Sequence, residues 1–171
     1  MRDIEELIED AFSGRSLTAR EVQAVVEQVA MAGFDPERRI NAPREIAGLV
    51  WEGQQVEAGE RIAVNAAHYL KHVVLQREWP DGTTLATYEA DAIRIARDPR
   101  SGVFVSSWQG QRTVGVIGFL ATACGLRGSG WILVEYRVAM GHWVTVFQPV
   151  NGLRYIDRPG RARLQWLRHP D

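Results

Sequence analysis

The sequence predicts an α+β fold in which N-terminal helices pack on a four-stranded antiparallel β-sheet. Two observations carry this. Apolar residues recur at helical spacing up to Ile95, whereas after Pro99 the period changes to two. The alternating segments are joined by hairpin-type turns and a glycine-rich loop, with no helical pattern between them, which gives antiparallel neighbours.

Ile4, Leu7, Ile8 and Ala11 form the first helical pattern, which Ser13-Gly14 ends. Thr18-x-x-Glu21 is a capping box ahead of Val22, Val25, Val26 and Val29, and Gly33 supplies the stop. Pro36 and Pro43 bracket a connector, and a short helix is expected from Arg44 to Trp51. A long helix is expected from Glu60 to Glu78, with Ile62, Ala66, Leu70, Val73 and Val74 on its apolar side. Trp79-Pro80-Asp81-Gly82 reads as a turn. Thr83 or Thr84 caps a further helix through Leu85, Tyr88, Ala92 and Ile95, which Pro99 terminates near Asp98.

Four strands follow, at Val103–Trp108, Arg112–Leu120, Trp131–Val138 and His142–Gln148. Gln109-Gly110-Gln111 and Ala139-Met140-Gly141 are hairpin turns, and the loop Gly125 to Gly130 joins the middle pair. The division expected is an acidic helical hairpin and connector over 1–59, a helix-plus-sheet core over 60–150, and an Arg-rich tail over 151–171 with Trp166 and Leu167 as docking points.

A chain of 171 residues holds one well-buried core and is too short for two ordinary domains. The single Cys124 excludes an internal disulfide and a multi-cysteine zinc site. No apolar run reaches bilayer length, and the acidic start Met1-Arg2-Asp3-Ile4-Glu5-Glu6 lacks the apolar core of a signal peptide, so a cytoplasmic location is expected. Net charge is −1, but residues 1–60 hold six Arg against thirteen Asp and Glu, whereas residues 61–171 hold thirteen Arg and one Lys against eight. The basic portion fits an anionic partner, or else the two halves attract each other.

If the last turn is Ala139-Met140-Gly141 with Val138 opposite His142, Arg137 pairs with Trp143, Tyr136 with Val144 and Glu135 with Thr145. One face then carries Ile132, Val134, Tyr136, Val138, Val144 and Val146. The other carries Glu135, Arg137, Trp143, Thr145 and Phe147, a mixture that suits a cleft wall or partner surface. A partly covered edge with an ordinary Glu135–Arg137 ion pair would read the same way.

His68 and His72 lie four apart, so they share one side of a helix with Lys71, the only lysine. Cleavage of RNA without a metal needs a base for the 2′-OH proton and cations or hydroxyls for the phosphate. His is the natural base near neutral pH. Lys71, Arg137 and Thr145 would meet the phosphate if that helix side faces the mixed sheet face. H-x-x-x-H also fits two metal ligands, with Glu135, His142 or Cys124 as a third. Tyr69, however, stands where H-E-x-x-H keeps its base, and no metal or other cofactor is expected. Phosphate-loop, dinucleotide and nucleophile-elbow motifs are absent. Trp108, Trp131 and Trp143 are candidates for base stacking or for the core.

The order His68-x-x-Lys71-His72, Trp79-Pro80, Ile93, Asp98-Pro99, Val103, Gly115, Ile132-Leu133-Val134-Glu135-Tyr136 and Trp143-Val144-Thr145-Val146-Phe147-Gln148-Pro149 resembles the barnase–EndoU–colicin–RelE superfamily of ribonuclease folds, especially its toxin-tip and phage-associated branches. The resemblance covers about residues 60–150. It implies a histidine-bearing helix before a four-stranded sheet, with active-site positions at His68 or His72 and at Thr145, and a basic neighbour at Lys71. The expectation is therefore a toxin-like, metal-independent endoribonuclease acting by 2′-OH transesterification. His72 is the preferred base, His68 the alternative base or acid, and Lys71, Arg137, Glu135 and Trp143 contact substrate. RNA, with tRNA as one candidate, and an immunity or antitoxin protein are the expected partners. A catalytically inactive RNA- or protein-binding module of the same fold is the alternative, and a metal-dependent hydrolase the third.

Overall fold

Asp3 starts helix α1 (Ile4–Phe12) by accepting the backbone N–H of Glu5 at 2.6 Å, and Thr18 caps α2 (Ala19–Ala32) through the full box with Glu21. The structure, a computed structural model, describes residues 2–157 and 161–171. In the connector only Arg44–Ile46 form a single 3₁₀ turn, because Gly48 takes a left-handed φ of +87° and turns the chain out of the helix expected to Trp51. Two short antiparallel strand pairs occupy this region instead. Strand β1 (Arg39–Asn41) pairs with β4 (Arg61–Ala63), and β2 (Val50–Trp51) with β3 (Gln54–Gln55).

The long helix expected from Glu60 therefore begins later and is not uniform. Helix α3 (Val64–Tyr69) passes directly into a π-helical segment, Leu70–Leu75. Such widened turns are rare and concentrate at functional sites. Helix α4 (Leu85–Arg97) is capped by Thr84, whose hydroxyl accepts from the N–H of Thr87 at 3.1 Å, and it ends at Asp98 ahead of Pro99.

The main sheet is antiparallel and has five strands, not four, in the order β8-β7-β6-β5-β9. These are β5 (Gly102–Trp108), β6 (Gln111–Phe119), β7 (Trp131–Arg137), β8 (His142–Phe147) and β9 (Arg161–Arg168). The fifth comes from the expected Arg-rich tail, of which residues 158–160 lie outside the described residues. Without β9 the outer edge of β5 would present unpaired backbone groups, and Trp166 would lose its edge-on contact with Phe104 at 5.4 Å.

Both faces of the sheet are covered. On one, Val103, Val105, Val114, Val116, Ile132, Val134, Tyr136 and Val146 pack against Leu7, Ile8, Val25, Val29, Tyr88 and Ile95 of α1, α2 and α4. The acidic helical pair thus belongs to the same core as the basic sheet. On the other face Phe104, Ile117 and Leu133 pack with Ile156 of a 3₁₀ turn (Gly152–Asp157) and with partly buried Phe147, Tyr155 and Trp166. A third cluster, including Ile46, Ile62 and Leu70, fixes the connector to α3. Among the described residues no helix is long and apolar enough to cross a membrane.

Register in the last hairpin departs from expectation at one residue. Leu133 pairs with Phe147, Val134 with Val146 and Glu135 with Thr145, but Tyr136 then pairs with Trp143 and Arg137 with His142. Val144 is an extra residue on β8, a β-bulge, so every side chain beyond it towards the turn changes face.

Gly115 faces the Phe104 ring, and a β-carbon built there would lie 2.0 Å from Phe104 Cζ. Gly115→Ala is therefore expected to destabilise the fold by about 1–3 kcal/mol, read as a lower urea midpoint at unchanged slope. An unaltered midpoint would show that Phe104 does not hold this position.

Candidate functional site

The widened turn after α3 brings His68, Lys71 and His72 to one cleft of about 350 Å³, whose opposite wall is Glu135, Arg137 and Thr145. Trp108, Val144, Phe147 and Tyr155 complete the lining. Six of the seven residues singled out in the sequence thus meet here. Trp143 does not. The bulge at Val144 turns it into the helical core, where it is 1 % exposed and its indole N–H donates to the carbonyl of Val29 at 2.6 Å. Its ring meets Phe34 edge-on at 5.5 Å, so it is an anchor of the core and does not line the cleft.

His72 is buried and bonded to a residue that sequence reasoning passed over. Its Nδ1 lies 2.7 Å from Oε2 of Glu78, itself 5 % exposed. Because a carboxylate only accepts, Nδ1 is the donor in this bond, and Nε2 is the nitrogen left to exchange a proton. The other carboxylate oxygen accepts the backbone N–H of Gln148 at 2.5 Å. Gln148 is fixed in turn: its side chain accepts from the N–H of Gly130 at 2.9 Å and donates to the carbonyl of Ala123 at 2.7 Å. A His six residues before a Glu has no motif behind it. The signal was only the Trp79-Pro80 turn, which reverses the chain so that Glu78 can fold back on the helix.

The His72 ring is also clamped by stacking. Phe147 lies 5.5 Å away on one side and His68 5.9 Å on the other, and His68 stacks on Phe34 at 5.2 Å. Tyr155 closes the row edge-on to Phe147 at 5.0 Å. Burial pushes the His68 imidazole down to about 3, reinforced by the neighbouring His72, Lys71 and Arg38. It is neutral at every physiological pH, which removes it as a proton donor and leaves it a stacking group with an unpartnered Nδ1.

Lys71 reaches Glu45 with its ammonium 3.3 Å from the carboxylate, both partly exposed, a pair worth about 0–1 kcal/mol and easily exchanged for another anion. Glu135 does not form the ion pair with Arg137 that the alternative reading of this face offered. It binds Arg161 of β9 at 2.5 Å, and the same guanidinium donates to the Ser106 hydroxyl at 3.1 Å and lies over the Phe104 ring. The Arg161 side chain is 1 % exposed, so this is a buried ion pair. With Glu135 neutralised, Arg137 is left to set the sign of the inner cleft, and its Nε is buried without a partner.

Among the described residues no three His, Cys, Asp or Glu side chains come together to hold a metal ion. Neither of the other two possible third ligands is turned to the cleft: His142 Nδ1 faces the carbonyl of Ala32 at 3.3 Å, and the thiol of Cys124, which is exposed, lies 3.1 Å from the carbonyl of Gly128.

The depressed His68 value fixes a pH dependence. The unfolded chain takes up this proton near pH 6.5 and the folded one only near 3, so stability is present above 6.5 and is lost as pH falls through that window. His68→Phe keeps the stack and removes the proton. Between about pH 7 and 5 it should lose about 1–2 kcal/mol less stability than wild type, measured by urea denaturation at each pH; identical losses would mean that the ring is not buried as described.

No family model, no curated protein and no solved structure matches this chain.

Proposed function

We propose that the chain is a metal-independent endoribonuclease that cleaves RNA by transesterification. The single observation that carries this reading is the Glu78–His72 pair opening on a cleft whose far wall supplies Arg137 and Thr145. A carboxylate that fixes the tautomer of an imidazole, with the free nitrogen turned from it, is the arrangement a general base requires.

In this reading His72 Nε2 removes the 2′-OH proton and O2′ attacks the adjacent phosphorus. The bond to the leaving 5′ oxygen breaks, giving a 2′,3′-cyclic phosphate and a free 5′-hydroxyl. Arg137, the Thr145 hydroxyl and Lys71, released from Glu45, stabilise the charge that develops on the phosphate oxygens. The leaving oxygen takes its proton from solvent, because burial holds the second imidazole of the cleft in its neutral form. Trp108 offers a ring for a base at the rim. A toxin-like role, with an immunity or antitoxin protein covering the same cleft, accords with the sequence resemblance.

The neutral state of His68 and the engagement of Lys71 by Glu45 favour one second reading, an RNA-binding module of the same fold that does not cut.

Purified protein is expected to nick tRNA and bulk RNA in EDTA, leaving cyclic phosphate ends. His72→Ala should lower the rate by about 10²–10⁴-fold, and Glu78→Gln by less, because the ring keeps a partner but loses the fixed charge. The rate should rise with pH along a single limb, with no descending arm from His68. RNA intact after long incubation with wild type would end the nuclease reading. Binding that survives in His72→Ala without any cutting by wild type would establish the second.

A further inference from the structure

His72, Lys71, Phe147 and Tyr155 line not one hollow but two. On their far side lies a second groove of about 660 Å³, continued by Gln76, Arg127, Pro149, Val150 and Asn151. Both volumes fall in the range of small-ligand clefts, roughly 300–1,000 Å³. The wall they share contains the imidazole held by Glu78, so a ligand long enough to fill both passes over the wall that holds His72. We propose that this second groove is a subsite for the neighbouring nucleotide of single-stranded RNA, which places the scissile linkage at the crest between the two hollows. The proposal rests on the ribonuclease reading for what happens at that crest, but not for the binding itself.

The groove's chemistry matches one nucleotide in three ways. Arg127 is exposed on the glycine-rich loop, and among the described residues no carboxylate pairs with its guanidinium, so it is available to a phosphate. The loop that carries it is rigidly seated: the N–H of Gly125 donates to the carbonyl of Glu78 at 2.7 Å, and that of Arg127 to the carbonyl of Arg77 at 3.0 Å. Gly128 is packed so closely that a β-carbon there would lie 2.1 Å from the Glu78 carbonyl oxygen. Arg127 is therefore positioned by the same residue that orients His72.

Apolar surface for a base is present as well. Val150 is 86 % exposed and Leu75 38 %, and both border the groove. Large apolar side chains left in water beside a cation, with the amides of Gln76 and Asn151 near them, form a platform with hydrogen-bonding edges. A base can lie on such a platform only if it is unstacked from its neighbours, and this selects a single strand over a duplex. At the other end of the path, Trp108 and Arg137 repeat the pairing of ring and cation.

The test separates binding from cutting by using an oligonucleotide that cannot be cut. A fluorescently labelled 2′-deoxy hexanucleotide lacks the attacking hydroxyl, and its affinity is read by anisotropy. It should bind at least about tenfold more tightly than a nucleoside 3′-monophosphate, and the same sequence as a blunt duplex should compete at least about tenfold more weakly. Arg127→Ala should weaken hexanucleotide binding roughly three- to tenfold and flatten its salt dependence by about 0.7 in log–log slope. Arg127→Lys should restore most of both, and Val150→Asp should weaken binding without changing the melting temperature.

Unchanged affinity and salt slope in Arg127→Ala and Val150→Asp would overturn the subsite, even if RNA is cut by wild type. Conversely, hexanucleotide binding that depends on Arg127 while RNA stays intact would leave the subsite standing and remove the nuclease. Duplex binding as tight as the single strand would overturn the proposal whatever the variants do.

Discussion

The Glu78 carboxylate is the constraint around which the site is organised. Removing an ionised carboxylate from water costs several kcal/mol unless its oxygens are satisfied, and here each has a short partner, His72 on one side and the Gln148 backbone on the other. The same residue's carbonyl accepts from Gly125, which ties in the glycine-rich loop. Four segments are thus held at one point: the π-helical turn and the Trp79-Pro80 reversal that follows it, the loop before β7 and the end of β8. The indole of Trp79 secures the reversal from behind, buried at 1 % exposure and donating to Asp91 of α4 at 3.1 Å. Desolvation leaves Asp91 above the usual carboxylate range, with that indole bond opposing the shift. The imidazole of His72 is therefore not on a mobile arm; its position relative to Thr145 is set by the fold, as a site on rigid elements requires.

The bulge at Val144 resolves a second conflict. Strict alternation would send Trp143, Thr145 and Phe147 to the same face, and an indole in that place would fill the hollow that Thr145 lines. One extra residue lets Trp143 turn into the helical core, where it reaches Val29 and Phe34, and leaves a short side chain beside the cleft. The sheet thereby uses both faces for packing and still keeps a cavity at its β8 edge. The covering of the second face also depends on the chain beyond β8: Tyr155 and Ile156 from a 3₁₀ turn, and Trp166 from β9.

How far this was legible in the sequence follows from which forces are local. Capping by Thr18 and Thr84, the stop at Pro99 and the two-residue period of β5 to β8 depend on near neighbours, and they are found where the pattern put them. The meeting of His68, Lys71 and His72 with Arg137 and Thr145 was also readable, because helix side and strand face are both set by periodicity. Trp143 was misplaced because a bulge has no reliable sequence mark, and a single added residue inverts everything beyond it. Strand β9 is hard to read although Leu164 and Trp166 alternate, since Arg161, Arg163 and Arg168 around them mask the pattern. Glu78 and Arg161 are not marked in the sequence, for different reasons: Glu78 meets His72 only because the chain turns back after six residues, and Arg161 meets Glu135 only through the pairing of a distant strand.

The distribution of unsatisfied groups bears on whether the cleft is a site or a packing fault. Among the described residues, buried side-chain nitrogens of His68, Arg137 and Arg161 lack a hydrogen-bond partner. His68 and Arg137 line the cleft, and Arg161 is bonded to Glu135, which lines it too. Each such atom costs on the order of 1–3 kcal/mol, so a fold shaped by stability alone would spread or remove them. Gathering that cost in one place, next to a neutral imidazole and a cation whose carboxylate neighbour is already neutralised, leaves donors ready for an oxygen-rich ligand. An internal ion pair between Glu135 and Arg137 would have satisfied Arg137 at the expense of Arg161, which is buried beside it. The pairing of Glu135 with Arg161 instead, through a strand recruited from the far end of the chain, keeps Arg137 open to the cleft and is the feature that most favours a ligand there over a sealed core.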